Sequence, residues 1–110
     1  MFSPDLKKGS TEMLILSLVE ARPRHGYEIG KLIEARSGGR LTFARPTLYP
    51  TLLRLESRGL IKGRWVEKAG ERERCYYRLT FKGRRVLAEQ RATWKEYVAA
   101  VNAIMGPDRA

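Results

Sequence analysis

The stretch "RPTLYPTLLRLESRGLI", residues 45–61, decides the fold. Two prolines four residues apart stand in front of leucines at helical spacing, although proline removes a backbone donor and clashes with the preceding turn. With Thr47 as N-cap, Pro50 falls at N3, where its missing N–H is one of the orphan donors of a helix start. Pro46 then lies just outside and keeps Arg45 extended. Leu48, Leu52 and Leu55 recur at i, i+4 and i+7 as the buried stripe, and Gly59 takes the C′ position before "LI" opens a new segment. The expected helix spans residues 47–58. Its other face carries Thr47, Thr51, Arg54 and Arg58, with Tyr49 on the flank. Hydroxyl and guanidinium groups reach phosphates and base edges in a major groove. The same face on an isolated helix is an ordinary solvated surface, so its surroundings decide between the two.

Downstream, "LIKGRWVEKAGERERCYYRLT" holds two β-rich runs around a charged tip with Gly70 at the bend, the pattern of a β-hairpin. In its second run Cys75, Tyr77 and Leu79 alternate with Arg74, Tyr76 and Arg78, so one face packs and the other is basic. Upstream, Ser10 or Thr11 caps a densely apolar helix through about Ala21, after a short polar arm, residues 1–9. "GYEIGKLIEARSGG" gives a second helix with Ile29, Leu32 and Ile33 on one face, stopped by Gly38 and Gly39. "RLTF" at 40–43 is read as a brief strand. Thr80 caps a last helix of about 25 residues, with Leu87, Trp94, Val98, Val101 and Met105 as an apolar stripe. A domain this small does not cover such a stripe, which points to pairing with a second copy.

The expected fold class is therefore mainly α with a small β-hairpin wing: a winged helix-turn-helix in residues 1–80 and a C-terminal dimerisation helix in residues 81–110, as one compact unit. The length of 110 residues suits one domain, and 43% hydrophobic with 31% charged residues suits a soluble globular chain. The N-terminus lacks a signal-peptide core and no apolar run suffices to span a bilayer, so a cytoplasmic protein without a membrane partner is expected. A lone Cys75 and a lone His25 build neither an internal disulfide nor a four-ligand metal site. The net charge of +10 favours a polyanionic partner, and 13 basic against 5 acidic residues between Arg45 and Arg91 place eight of those charges in one stretch. No nucleophile–histidine–carboxylate set and no phosphate-cradling glycine loop is present, so neither catalytic residues nor a cofactor is expected.

"HGYEI" at 25–29, "TLYPTLLRLESRGLI" at 47–61, Trp65, and "RCYYRLTFKGRRVL" at 74–87 together resemble the PadR family of bacterial transcriptional regulators, over about residues 12–105. The resemblance implies a winged-helix DNA-binding domain, a dimerising C-terminal helix, and repression of a neighbouring promoter. A chain that ends soon after a single such helix is similar to the short subfamily. Some short members hold flat aromatic compounds between the dimerisation helices, stacked on a tryptophan, and Trp94 occupies the matching region. A tryptophan on an apolar helical stripe serves an interface equally well without any ligand.

The expected activity is that of a homodimeric repressor that binds an inverted repeat in double-stranded DNA through the helix 47–58 and the wing 62–80, released by a small planar aromatic effector. Arg54 is the first choice for base contact, beside Thr47, Tyr49 and Thr51. Arg58, Lys62, Arg72 and Arg74 are assigned to phosphates, with Lys7 and Lys8 of the arm assisting. Two rival readings are a multidrug or phenolic-compound sensor with its main site between the dimer helices, and a basic RNA-binding protein. The scarcity of aromatics in a row for base stacking speaks against the latter. His25 and Tyr27 are read as bracing the second helix, and Cys75 as a buried strand thiol.

Overall fold

The structure, a computed structural model, describes residues 4–107 and the side chains of residues 10–107. In chain order the elements are α1 (Pro4–Ala21), β1 (Arg24–His25), α2 (Gly26–Arg36), α3 (Arg45–Ser57), β2 (Ile61–Val66), β3 (Arg74–Leu79) and α4 (Phe81–Met105). The strands form one antiparallel sheet in the order β1-β3-β2. This is the expected mainly helical fold with a hairpin wing. The arm is not separate, since α1 begins at Pro4 rather than at Ser10 or Thr11. The "RLTF" segment forms no strand. The third strand is instead the two residues Arg24 and His25, paired with Tyr77 and Tyr76; a strand so short is defined by its distant partner.

A single core joins Ile15, Leu16 and Val19 of α1, Ile29 and Ile33 of α2, Leu48, Leu52 and Leu55 of α3, Leu60 and Ile61, Tyr77 and Leu79 of β3, and Leu87 of α4. Burying a side chain of this kind contributes roughly 1.5–3 kcal/mol against leaving it exposed, so the leucines of α3 hold that helix firmly against the other elements. Two polar joints fix the junctions. The buried Arg24 donates from Nε to the Leu18 carbonyl at 2.6 Å, satisfying an orphan acceptor in the last turn of α1, and from Nη1 to Glu28 at 3.0 Å; Arg22 pairs with the same carboxylate. Thr80 caps α4, its hydroxyl accepting from the Gly83 N–H at 3.0 Å. At Gly83 the helix meets the Leu60 carbonyl so closely that a Cβ would stand 2.1 Å from that oxygen.

Beyond Leu87, α4 leaves the core. The molecule measures 65 × 30 × 21 Å with a radius of gyration of 16.2 Å, against about 13 Å for a compact domain of this length. Arg91 ties the middle of α4 to α1 through Glu20 at 2.9 Å and Ser17 at 3.3 Å. After that point Trp94, Tyr97, Ile104 and Met105 are exposed.

Candidate nucleic-acid interface

The helix α3 starts two residues before the expected Thr47. Its N-cap is Ala44, whose carbonyl accepts from the Thr47 and Leu48 N–H groups at 3.0 Å, and no side chain supplies a cap bond. Pro46 therefore sits at N2 instead of outside the helix, where a missing donor costs little. Pro50 lies inside the helix rather than at N3 and offers no N–H to the Pro46 carbonyl. The far end closes as expected from Gly59: its φ of +76° lets the Leu60 N–H reach the Leu55 carbonyl at 3.0 Å and its own N–H reach Glu56 at 2.9 Å.

The face opposite the core differs from the expected one. Thr51 is only 2% exposed: its hydroxyl donates to the Thr47 carbonyl at 2.8 Å and accepts from Arg54 Nη2 at 3.0 Å. Thr51 thus positions the Arg54 guanidinium instead of meeting solvent. Arg58 is engaged by Glu12 of α1 at 2.8 Å. Thr47 and Arg54 are exposed on the flank of the helix, and Tyr49 is partly covered, its ring lying where a Cβ on Gly26 would clash at 2.8 Å. The residues directed straight away from the core are Pro46, Pro50, Leu53 and Ser57. At 100° per residue the threonine–arginine row stands about a quarter turn from that direction, a signal the sequence already held.

The wing places Lys62, Arg64 and Val66 of β2 beside Arg78, Tyr76 and Arg74 of β3. Four cations share this sheet face, and neither strand contains a carboxylate. Lys62 and Arg78 are directly paired across the strands, an arrangement of like charges that disfavours the isolated sheet and suits an anionic partner. Arg64 and Arg78 join the expected Lys62 here, while Arg72 is exposed near the tip. Arg74 is less free. It donates to His25 Nδ1 at 3.3 Å and lies over the Tyr27 ring at 5.5 Å. The same Nδ1 accepts from the Glu28 N–H at 3.2 Å, making His25 the N-cap of α2. Burial and the Arg74 charge hold its pKa below the usual value of 6.5, so the ring caps the helix as neutral imidazole. The lysines at 7 and 8 lie outside the described side chains. Cys75 is half-buried rather than fully buried as expected; it pairs with Trp65 across the hairpin, and burial pushes its thiol up from the ordinary value, away from the thiolate form.

The apolar stripe of α4 divides in two. Leu87 is fully buried in the core of the chain and so does not fit the expected interface stripe, whereas Trp94 is 48% exposed, Val98 and Val101 are half-buried, and Met105 is exposed. Trp94 and Tyr97, with ring centres 6.2 Å apart, form one side of a groove of about 1300 Å³, and Thr47, Thr51 and Arg54 form part of the other. Among the described residues Gln90 Oε1, in the same groove, is the one buried side-chain polar atom without a hydrogen-bond partner. No helix is long and apolar enough to cross a membrane, and no group of potential metal ligands occurs, among the described residues.

Residues 15–89 match the transcriptional regulator PadR-like family. The chain belongs to this PadR-like family. It is similar to a transcriptional regulator from Clostridium thermocellum, with 30% identity and a TM-score of 0.87 over 96% of this chain and 99% of that one. A PadR-like transcription factor from Bacteroides fragilis is 40% identical, with a TM-score of 0.74 over 91% and 94% of the two chains. A PadR-family regulator from Eggerthella lenta is 36% identical, with a TM-score of 0.81 over 94% and 88%. PadR-like proteins are transcriptional regulators and not enzymes, so the chain acts by DNA-binding regulation.

Proposed function

We propose that this PadR-like protein is a homodimeric repressor of an inverted-repeat operator, with α3 in the major groove of each half-site and the wing along the adjacent phosphates. The observation that carries the reading is the presentation of α3: three leucines lock one face into the core while the opposite face and Arg54 are exposed, beside a sheet face holding four cations and no carboxylate. Two-fold symmetry sets the half-sites about 34 Å apart. The second copy is assigned to the exposed half of α4, where Trp94, Val98, Val101 and Met105 follow one another along a helix that has left its own core.

The test pairs Arg54→Ala with Arg72→Ala on a selected duplex and on random DNA. Arg54→Ala is expected to cost about 1–3 kcal/mol on the selected duplex and to relax base preference, whereas Arg72→Ala weakens both DNAs alike and flattens the salt dependence. Equal losses on both DNAs for Arg54→Ala would remove it from the reading set. The groove beside Trp94 supports a second element of the proposal, release by a planar aromatic effector. Such a compound acts only if it binds one dimer geometry better than the other. Quenching of tryptophan fluorescence by a planar aromatic cation, lost in Trp94→Leu and kept in Trp65→Leu, supports that element; no quenching with any such compound removes it.

A further inference from the structure

Opposite the leucines that anchor α3 runs an apolar ridge. Pro46, Pro50 and Leu53 follow at i, i+4 and i+7, all exposed, and Leu53 stands at its crest at 62% exposure. Arg54 borders the ridge on one side and Tyr49 on the other. A single exposed leucine is ordinary on a protein surface. Here it heads the outward face of the reading helix in a chain of net charge +10, so the surface it meets in use is the groove of a polyanion.

Chemistry narrows what it meets there. A leucine has no donor or acceptor, and most of the major-groove edge consists of donors and acceptors that lose free energy when desolvated without a partner. The apolar group that protrudes into that groove is the 5-methyl of thymine. We propose that Leu53 reads a thymine methyl, so that each operator half-site carries a thymine beneath it. The assignment rests on the DNA-binding reading above and adds a base identity to it. Arg54, steadied by the Thr51 hydroxyl, supplies a hydrogen-bonding contact next to this apolar one, so the helix discriminates by two unlike chemistries.

The experiment selects duplexes from a random library with the full-length protein. Each thymine of the enriched duplex is then replaced singly by deoxyuridine, which keeps the base pair and removes only the methyl. One thymine per half-site is expected to show roughly fourfold weaker binding on replacement, the effect of losing one buried methyl. Leu53→Ala is expected to bind the thymine and deoxyuridine duplexes equally. Leu53→Gln, whose amide pairs with adenine, is expected to enrich adenine at that position. Unchanged thermal unfolding of both variants, natural at so exposed a site, shows that they fold. Indifference of the wild type to deoxyuridine at every thymine, or an undiminished penalty in Leu53→Ala, overturns the assignment while the enrichment itself leaves DNA binding standing. If no duplex is enriched at all, the DNA-binding reading fails first and takes this assignment with it.

Discussion

Gly83→Ala sets two principles against each other. Alanine is favoured over glycine inside a helix by about 1 kcal/mol, so propensity alone predicts a more stable protein. In this structure the added methyl would stand 2.1 Å from the Leu60 carbonyl oxygen and 2.7 Å from a Leu79 methyl, both far inside normal contact. The Leu60 oxygen is not free to retreat, since it accepts from the Thr80 N–H at 3.1 Å and lies 3.1 Å from the Thr80 hydroxyl. Overpacking of this kind costs about 1–3 kcal/mol, and a hydrogen bond broken to relieve it about 0.5–1.5 kcal/mol more. After subtracting the propensity gain, the net expectation is a loss of about 2 kcal/mol. With a urea dependence of about 1–3 kcal/mol per molar for a protein of this size, the midpoint falls by roughly 1 M. Circular dichroism at one fixed protomer concentration measures it, because association would otherwise shift the curve. Gly30→Ala is the control: its methyl meets only the end of the Leu48 side chain, at 3.3 Å, and a much smaller loss is expected. A Gly83→Ala midpoint equal to or above wild type would refute the close approach of α4 to Leu60.

His25 makes stability depend on pH. Its folded pKa lies below the unfolded 6.5, so on acidification the unfolded chain takes up the proton first; stability is whole above about pH 6.5 and falls below it. Urea midpoints at pH 7.5 and 5.5 are expected to differ by less in His25→Asn, which keeps a cap acceptor but does not titrate. Arg24→Met leaves Glu28 and the Leu18 carbonyl short of a donor and is expected to cost about 1–3 kcal/mol by the same assay; a neutral result would mean that Arg22 alone satisfies the carboxylate. Leu87→Ala is expected to lose about 2–5 kcal/mol through a core cavity without changing subunit association. Val101→Asp is expected to yield a lone protomer in light scattering with its folded domain intact, and an unaltered dimer would move the interface elsewhere.

Local signals carried most of the fold. Thr80 and Gly59 marked helix ends because caps and left-handed turns are encoded by one or two residues, and the alternation in β3 revealed its buried and basic faces. Features set by distant partners were not legible. β1 exists only because Tyr76 and Tyr77 hydrogen-bond two residues that show no strand pattern of their own. Nothing in the sequence sets Arg24 apart from the other cations; only the distant Leu18 carbonyl gives its guanidinium a buried acceptor. Leu87 belonged to the same periodic stripe as Trp94, yet the core reaches only the first of them. Within α3 the spacing of the leucines shows the buried stripe, but the polarity of Thr51 hides its burial, which is possible because its hydroxyl is satisfied by the carbonyl one turn back. The start of that helix is not legible because an N-cap at Ala44 without a side-chain bond leaves no signature in the sequence.

The hairpin is held unevenly along its length. Tyr76 and Tyr77 have neighbours on both edges, β1 on one side and β2 on the other, whereas Arg74 and Cys75 pair with β2 alone and residues 67–73 belong to no strand. The wing is in effect a cantilever, clamped where it joins the body and compliant toward its end. In the proposed complex its tip would follow the undulating backbone of a duplex without transmitting strain to α3, which would make fitting the phosphates and reading the bases mechanically separate tasks.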